Sequence, residues 1–390
     1  YDDGVHGDGE AGDGIYGFQL AALASQTLVR YRISVEGLSG CSWTYPDEKE
    51  PNPNRAFFVY DGEVETNLPV YYLIIPEAGL DYLNADIWTH DYQDATLVLE
   101  GKTYDHIGIH YRGRGYRRFP KKSWKIKFNK TEYFHDMSTL DLAMHTPVLQ
   151  KLVFDLFWLM GQEHLATELV RLHMNGSFYG LYLAQESLGP SWLKKNDMDE
   201  ESHIFKASCD LNSTSTNADL TYQTDPGLYP KMYERRNNPL GSFDKLMDFT
   251  DGITNLPEEQ IFDFINDNVD LNNWLYRWAV QYGIGHVDYR GQNYLVLVPE
   301  APEGKWQIYY YDFDLAFGCN GIDEGSVPCM PYTYDWYDTW WDLENTCAGN
   351  RCNARCRDNP ALRNRFLVIL KDTLENYMTE ETIDQRLDEL

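Results

Sequence analysis

The spacing of hydrophobic residues predicts strands in the first half of the chain and mainly helices in the second half. A continuous apolar run at residues 70–75 is typical of a strand that is buried on both faces. Further strands are expected at residues 28–35, 56–60, 95–99, 107–111, 169–174, 178–184 and 204–206. Helices are expected at residues 138–160, 241–255, 258–268, 272–282, 360–377 and 380–390, and the apolar stripe of the helix at 272–282 is expected to be core: Trp274, Leu275, Trp278 and Tyr282. This order of elements predicts an α+β fold.

One segment of this pattern is strongly basic. No acidic residue lies between Asp105 and Glu132, although the whole chain has 61 acidic and only 33 basic residues. The Lys and Arg residues of the segment are Arg112, Arg114, Arg117, Arg118, Lys121, Lys122, Lys125, Lys127 and Lys130. Such local segregation of charge indicates an anionic ligand, and the glycine turn around Gly113 offers backbone amides to phosphate oxygens.

The basic segment ends in a predicted strand at residues 123–128, in which apolar and polar residues alternate. Three apolar residues are expected to face a core: Trp124, Ile126 and Phe128. Lys125 and Lys127 then lie together on the opposite side. A glycine turn that leads into a strand with an inward lysine is how protein kinases hold the phosphates of ATP. The alternative is an edge strand on which lysines prevent aggregation.

A predicted hairpin at residues 294–311 gathers oxygen ligands at its open end. Asp288 and Asn293 precede the hairpin, and Asp312 and Asp314 follow it on one face, because side chains alternate along a strand. Carboxylate and amide oxygens suit Mg²⁺, Mn²⁺ or Ca²⁺ better than zinc. The order of these residues also matches the parts that kinases use for phosphoryl transfer. A solvated loop with an acidic pair explains the hairpin alone, but the hairpin and the basic segment together favour a nucleotide.

Several motifs resemble the spore coat protein H (CotH) family of atypical kinases, in the order in which that family has them. The matching stretches are Arg112-Gly113, residues 120–128, residues 175–182 with Glu186, Asp288 with Asn293, and residues 312–314 with Gly318. The resemblance implies a two-lobed protein-kinase-like fold, with an N-lobe at residues 67–187 and a C-lobe at residues 188–390. It also implies an exported enzyme that uses ATP and Mg²⁺ or Mn²⁺ to phosphorylate Ser or Thr of extracellular or surface proteins.

The resemblance implies a role for individual residues. Asp288 is the expected catalytic base, and the expected metal ligands are Asn293, Asp312 and Asp314. The expected nucleotide contacts are Arg112, Gly113, Arg114, Lys122, Lys125, Lys127 and Glu186, the last as a polar anchor. The chain departs from the family in one respect, since serines that often follow the Arg-Gly pair are replaced by Arg114-Gly115-Tyr116. Guanidinium groups then take the place of hydroxyl contacts to phosphate.

Two other classes of function are compatible with parts of the sequence. A pseudokinase scaffold, meaning a non-catalytic extracellular structural or adhesive module, would keep the fold without turnover. The joint presence of Asp288, Asn293 and Asp312 favours the enzyme, because a scaffold does not need all three. A metal-dependent phosphodiesterase or nuclease would be expected to have His among its ligands or a basic surface, and His286 alone gives little support.

Composition limits the partners of the protein. Hydrophobic residues make up 43% of the chain and aromatic residues 15%, as in a globular protein. A formal charge of −28 argues against nucleic acids and anionic membrane surfaces as partners. No apolar run approaches the ~20 residues that cross a bilayer. A chain that begins Tyr1-Asp2-Asp3 is expected to be a mature or trimmed product.

The first 66 residues predict a partial, Ig-like β module ahead of a CotH kinase-like domain at residues 67–390. Acidic residues alternate with glycines at residues 2–14, so this loop is a candidate Ca²⁺ site, with an acidic disordered tail as the alternative.

The seven cysteines indicate an oxidising location, that is, a secreted or cell-surface protein. They are Cys41, Cys209, Cys319, Cys329, Cys347, Cys352 and Cys356. Disulfides are expected, with one cysteine left over or paired outside the chain. A zinc site at the last three cysteines is the alternative. Sequons at Asn129, Asn175 and Asn212 permit glycosylation.

Overall fold

The computed structural model describes residues 1–390 with the exception of residues 38, 61, 63, 114, 209–217, 287–290, 302 and 318–349. The chain forms two compact units. The first unit contains residues 1–119, 126–134 and 170–180, and the second contains residues 120–125, 135–169 and 181–390. Strands and helices are both abundant, so the predicted α+β class is confirmed. The kinase-like lobes, the Ig-like module and the domain boundaries stay predictions.

The N-terminal part of the first unit contains two antiparallel strand pairs. They are β1 (Thr27–Tyr31) with β4 (Arg55–Val59), and β2 (Ile33–Glu36) with β3 (Ser42–Tyr45). The single strand predicted at residues 28–35 is therefore two strands, because each half has a different partner. Phe58 of β4 shares a hydrophobic cluster with Tyr72 and Val98, which belong to the next strands of the same unit.

The following elements lead from the first unit into the second. They are β5 (Val70–Ile74), α1 (Glu77–Ala85), β6 (Gln93–Leu99), β7 (Lys102–Arg112), a 3₁₀ turn (Gly115–Arg118), β8 (Ser123–Lys127), β9 (Thr139–Ala143), α2 (Pro147–Leu159), β10 (Thr167–Met174) and β11 (Ser177–Glu186). In the first unit β6 pairs antiparallel with β5 and β7, and β10 pairs parallel with β5. In the second unit β11 pairs antiparallel with β9, with Gln185 opposite Asp141.

The prediction of one long helix at residues 138–160 is wrong. Residues 139–143 form β9, in which Leu140 and Leu142 are fully buried, and α2 begins only at Pro147. Proline at the first helical position fixes a suitable φ and has no N–H to leave unpaired, so it marks the start of a helix. The apolar residues at helical spacing all follow this proline, whereas the residues before it alternate.

The remaining elements belong to the second unit. They are α3 (Pro190–Lys195), β12 (His203–Ala207), a 3₁₀ turn (Pro226–Leu228), α4 (Tyr229–Met232), β13 (Tyr233–Arg235), α5 (Asp244–Asn255), α6 (Glu258–Asn268), α7 (Leu271–Gly283), β14 (Tyr294–Val298), β15 (Gln307–Tyr310), α8 (Arg351–Asp358), α9 (Pro360–Asn376) and α10 (Glu380–Glu389). Strands β13, β12, β14 and β15 form an antiparallel sheet in that order. The aromatic stripe of α7 is core, as predicted, since Trp274 and Trp278 are buried and Trp278 stacks on Phe366.

The described cysteines are thiols. Cys41 is exposed, whereas Cys352 and Cys356 are buried on α8, and burial raises the pKa of the Cys352 thiol. The predicted disulfides therefore have no support among these three cysteines, and the other four lie outside the described residues. None of the described helices is long and apolar enough to cross a membrane.

Candidate active site

The lysine strand β8 has the alternation that its sequence predicts. Trp124 and Ile126 are fully buried, so the strand presents its apolar side to a core. Lys125 is half-buried and Lys127 is exposed. Lys125 belongs to the second unit and Lys127 to the first, where its ammonium lies 5.3 Å from the ring centre of Tyr92.

Lys125 forms an ion pair with Asp141 of β9. The Nζ of Lys125 lies 2.9 Å from Oδ1 of Asp141, and both side chains are largely shielded, with 15% and 12% of their surface exposed. Ser187, directly after β11, also contacts both groups. A shielded ammonium needs such partners, because an unpaired buried charge is costly. The sequence did not single out Asp141 or Ser187, although an aspartate between two buried leucines of a short alternating strand was a usable signal.

Glu186, predicted as a polar anchor, is buried at the end of β11 with 2% of its surface exposed. Its Oε2 accepts a hydrogen bond of 3.2 Å from the backbone N–H of Ala166 and lies 3.3 Å from the Lys195 ammonium. Its own backbone N–H donates to the Ala166 carbonyl at 2.9 Å. These contacts make Glu186 an anchor of the strand end. The carboxylate that pairs with Lys125 is Asp141.

The strand pair β9 and β11 connects this ion pair to the predicted metal-binding segment. Gln185 lies directly opposite Asp141 in the antiparallel register, so their side chains emerge on the same face. The side-chain amide of Gln185 donates a hydrogen bond of 3.0 Å to the carbonyl of Tyr311. Tyr311 immediately precedes Asp312. A continuous path of contacts in the second unit therefore runs from Lys125 to the residue before Asp312.

The predicted hairpin is present as β14 and β15. Tyr294 lies opposite Tyr310, and the backbone N–H of Tyr311 donates to the Asn293 carbonyl at 3.4 Å. The hairpin therefore holds Asn293 next to the strand end that leads into Asp312, as the sequence predicts. Asp312 is half-buried and Asp314 is buried. Asp288, the predicted catalytic base, lies outside the described residues.

Phe313, between the two aspartates, is fully buried in aromatic surroundings. Its ring centre lies 5.0 Å from that of Phe154 and 5.7 Å from that of His286. His286 is itself buried, its Nδ1 lies 2.5 Å from the Gln281 side-chain oxygen, and burial lowers its pKa to about 3. A neutral imidazole therefore packs on the phenylalanine that fixes the aspartate segment.

The start of α2 contacts the same segment through polar groups. The hydroxyl of Thr146 donates to the Asp314 carbonyl at 3.4 Å, and Nδ1 of His145 lies 3.6 Å from the Asp314 carboxylate. The Gln150 side chain bridges the start of α2 and the aspartate segment. Its amide donates to the His145 carbonyl at 2.7 Å, and its oxygen accepts from the Phe313 N–H at 3.5 Å. The segment is thus held on both sides of Phe313.

Two lysines that precede β8 lie in the second unit. The Lys122 carbonyl accepts a hydrogen bond of 2.7 Å from the Tyr182 hydroxyl, and burial lowers the pKa of the Lys122 ammonium. The Lys121 ammonium, which the sequence did not assign to the site, donates to the Leu181 carbonyl at 2.8 Å and lies over the Tyr182 ring. These contacts fix the backbone that leads into β8, and nucleotide contact by Lys122 stays a prediction.

The glycine turn belongs to the first unit. Gly113 has a φ of +86°, a conformation that glycine adopts without strain. Arg117 is buried beneath the turn, where its guanidinium donates to the carbonyls of Gly113 at 2.7 Å and of Ile87 and Thr89 at 3.2 Å. This arginine therefore has a structural role. Arg112 is half-buried at the end of β7, and Arg114 lies outside the described residues.

The donor atoms of Asn293, Asp312 and Asp314 fit a hard divalent cation, because all are oxygens and two belong to carboxylates. Within the described part of the chain, no group of three or more His, Cys, Asp and Glu side chains converges as a metal site. The fit therefore rests on the donor chemistry and on the hairpin register.

The acidic N-terminal loop is held by its own hydrogen bonds. Asp2 accepts from the N–H groups of Gly12 at 2.7 Å and Gly14 at 3.2 Å, and the buried Asp8 accepts from the N–H of Gly4 at 3.1 Å. These contacts give no support to the calcium hypothesis, which stays a prediction.

Comparison with known proteins agrees with the motifs. The family described as "CotH kinase protein" matches residues 109–390. The chain is also 27% identical over 330 residues to the inner spore coat protein H of Bacillus subtilis (strain 168), covering 83% of this chain and 86% of that protein. The family match spans more than half of the chain and includes β8, β9, β11 and the β14–β15 hairpin. The chain therefore belongs to the CotH kinase protein family.

Proposed function

We propose that this protein is an ATP-dependent protein kinase that transfers the γ-phosphate to Ser or Thr residues of other proteins with the help of Mg²⁺ or Mn²⁺. The observation that carries the proposal is the path of contacts from Lys125 through Asp141 and Gln185 to the segment of Asp312. A cation for phosphate oxygens and carboxylates for a metal are the two parts that phosphoryl transfer needs close together.

Lys125 is the proposed phosphate-binding cation. Its ammonium is paired with Asp141 and shielded from water. Water therefore screens its attraction to a nearby phosphate only weakly. Most of the chain is acidic, with a formal charge of −28, and would repel a nucleotide. The basic segment reverses this repulsion locally. Further phosphate contacts are assigned to Arg112, Gly113, Arg114, Lys122 and Lys127 on the family resemblance alone.

Asn293, Asp312 and Asp314 are the residues that would hold the metal. When bound, a divalent ion neutralises charge on the β- and γ-phosphates. Asp288 is assigned as the base that orients the substrate hydroxyl and accepts its proton. The packing of Phe313 and the contacts of Gln150 support the assignment of Asp312 and Asp314 to the metal, because they keep the aspartate segment in one position.

The substrate is proposed to be a surface or coat protein. The supporting observation is the relative named as an inner spore coat protein. The acidic surface favours basic, serine- or threonine-containing segments as phosphoacceptors, since opposite charge speeds association.

The first test measures melting temperature. ATP with Mg²⁺ or Mn²⁺ is expected to raise the melting temperature of the purified chain, and Asp312→Ala is expected to abolish the rise. The second test measures transfer of labelled γ-phosphate to a Ser/Thr-rich protein, which Asp288→Ala is expected to abolish. Nucleotide binding without transfer would identify a pseudokinase, and the absence of both effects would favour a structural module.

A further inference from the structure

A serine outside every motif discussed so far lies between the lysine and the aspartate of the candidate site. The Oγ of Ser187 accepts a hydrogen bond from the Lys125 ammonium at 2.5 Å and donates one to Oδ2 of Asp141 at 3.2 Å. The same ammonium lies 2.9 Å from the other oxygen of Asp141. The three side chains therefore close a ring of polar contacts, all within the second unit.

This ring restricts the direction of the lysine ammonium. An ammonium has three N–H donors on a flexible four-carbon stem. With a carboxylate alone, the group could rotate about the line that joins it to Asp141. A second partner at a different angle removes that rotation and so fixes the orientation of the ammonium.

The position of Ser187 is fixed by its neighbours in the chain. Glu186 is bonded to the backbone of Ala166 in both directions, at 2.9 and 3.2 Å. Leu188 on the other side is buried. Ser187 itself is half-buried, so its hydroxyl is held by a backbone that is anchored before and after it.

We propose that Ser187 is a positioning residue that aims the Lys125 ammonium at the phosphate groups of a nucleotide. The inference rests on the proposed kinase function and adds to it a residue that acts only through Lys125. Loss of the hydroxyl removes one hydrogen bond to a charged group, and the charge that remains is less well stabilised and less well directed.

The first measurement does not depend on catalysis. The wild-type chain and its Ser187→Ala variant are treated with an amine-acylating reagent in the absence of nucleotide, and labelling of Lys125 is followed by mass spectrometry. The variant is expected to be labelled about threefold to tenfold faster, because its lysine loses a hydrogen-bond partner that holds the ammonium in place. Ser187→Thr keeps the hydroxyl and is expected to behave as wild type. Ser177→Ala, at the exposed first position of β11, is the matched control.

The second measurement separates nucleotide binding from turnover. Ser187→Ala is expected to raise the KM for ATP by about tenfold with a smaller change in kcat, and Ser187→Thr is expected to restore the KM. Circular dichroism checks the fold of each variant, and Ser187→Gly replaces the alanine variant if that one does not fold.

The outcomes distinguish this inference from the proposed function. Unchanged Lys125 labelling, or an unchanged KM in an active Ser187→Ala enzyme, overturns the role of Ser187 and leaves the kinase function standing. A second outcome is that the variants are labelled as expected, but the wild-type chain neither binds ATP nor transfers phosphate. That outcome overturns the nucleotide assignment and, with it, the kinase function. Faster labelling, a raised KM and rescue by threonine together support the inference.

Discussion

Replacement of the buried His286 should make the protein less sensitive to mild acid. Burial holds the pKa of this imidazole at about 3, against 6.5 for the exposed group. The unfolded chain therefore binds a proton as the pH falls below about 6.5, while the folded chain does not. Protons favour the state that binds them, so His286 destabilises the fold progressively between about pH 6.5 and pH 3.

The size of the effect follows from the difference between the two pKa values. Each pKa unit corresponds to about 1.4 kcal/mol, so the full difference is worth about 5 kcal/mol below pH 3. Between pH 7 and pH 5 the free energy of unfolding falls by about 2 kcal/mol, because only the interval between the unfolded pKa of 6.5 and pH 5 contributes. Two other histidines, His145 and His173, also have a pKa lowered by burial, so the contribution of His286 must be isolated by comparison.

The assay is urea unfolding at pH 7 and pH 5 for the wild type and His286→Gln. Glutamine keeps an N–H donor for the Gln281 oxygen but does not titrate. The stability of the variant is expected to fall by about 2 kcal/mol less than that of the wild type between the two pH values. His90→Gln, at an exposed position, controls for an effect of histidine removal in general. A difference between wild type and His286→Gln that stays constant from pH 7 to pH 5 refutes the reasoning.

Three further changes test the packing around the site. Asp141→Asn should lower stability by about 2–4 kcal/mol in urea unfolding, because the shielded Lys125 ammonium loses its counter-charge; a Lys125→Met/Asp141→Leu pair should recover much of that loss without recovering ATP binding. Phe313→Ala should cost about 3–5 kcal/mol and weaken the ATP-induced rise in melting temperature, and a cost under about 1 kcal/mol would mean that the segment is not packed. Arg117→Lys should lower the melting temperature, since a lysine cannot reach three carbonyls in a fork; an unchanged value would contradict the structural role of Arg117.

The sequence predicts those parts of the fold in which a segment has a single periodicity of apolar residues. The β14–β15 hairpin, the α7 core stripe and the inward face of β8 follow from alternation, helical spacing and turn residues, and all three are confirmed. The helix at 138–160 was wrong because two patterns meet there. Residues 139–142 alternate between polar and apolar, whereas the residues from Pro147 onwards have helical spacing, and a window long enough to detect the helix averages over the short strand.

That error explains why the partner of Lys125 could not be predicted. A helix over residues 138–160 does not show Asp141 as a strand residue, so the sequence does not indicate that its carboxylate pairs with Lys125. Pairing of β9 with β11 is non-local, and no local pattern indicates which strands become neighbours. The register of β9 and β11 gives the two carboxylates different roles. Asp141 and Ser187 contact Lys125. Glu186, one residue before Ser187, instead contacts Ala166 and Lys195.

The same separation suits the proposed role of Lys125 as a phosphate-binding cation. If Glu186 paired with Lys125, the strand end would lose its anchor whenever the lysine moved towards phosphate. With the two functions on different carboxylates, Lys125 can change partners while Glu186 continues to fix the backbone of β11. Glu186→Gln should therefore lower stability but leave Lys125 labelling close to that of the wild type, whereas Asp141→Asn should change both. Parallel urea unfolding and acylation of the two variants measure this directly, and a large change of Lys125 labelling in Glu186→Gln would show that the two carboxylates act as one unit.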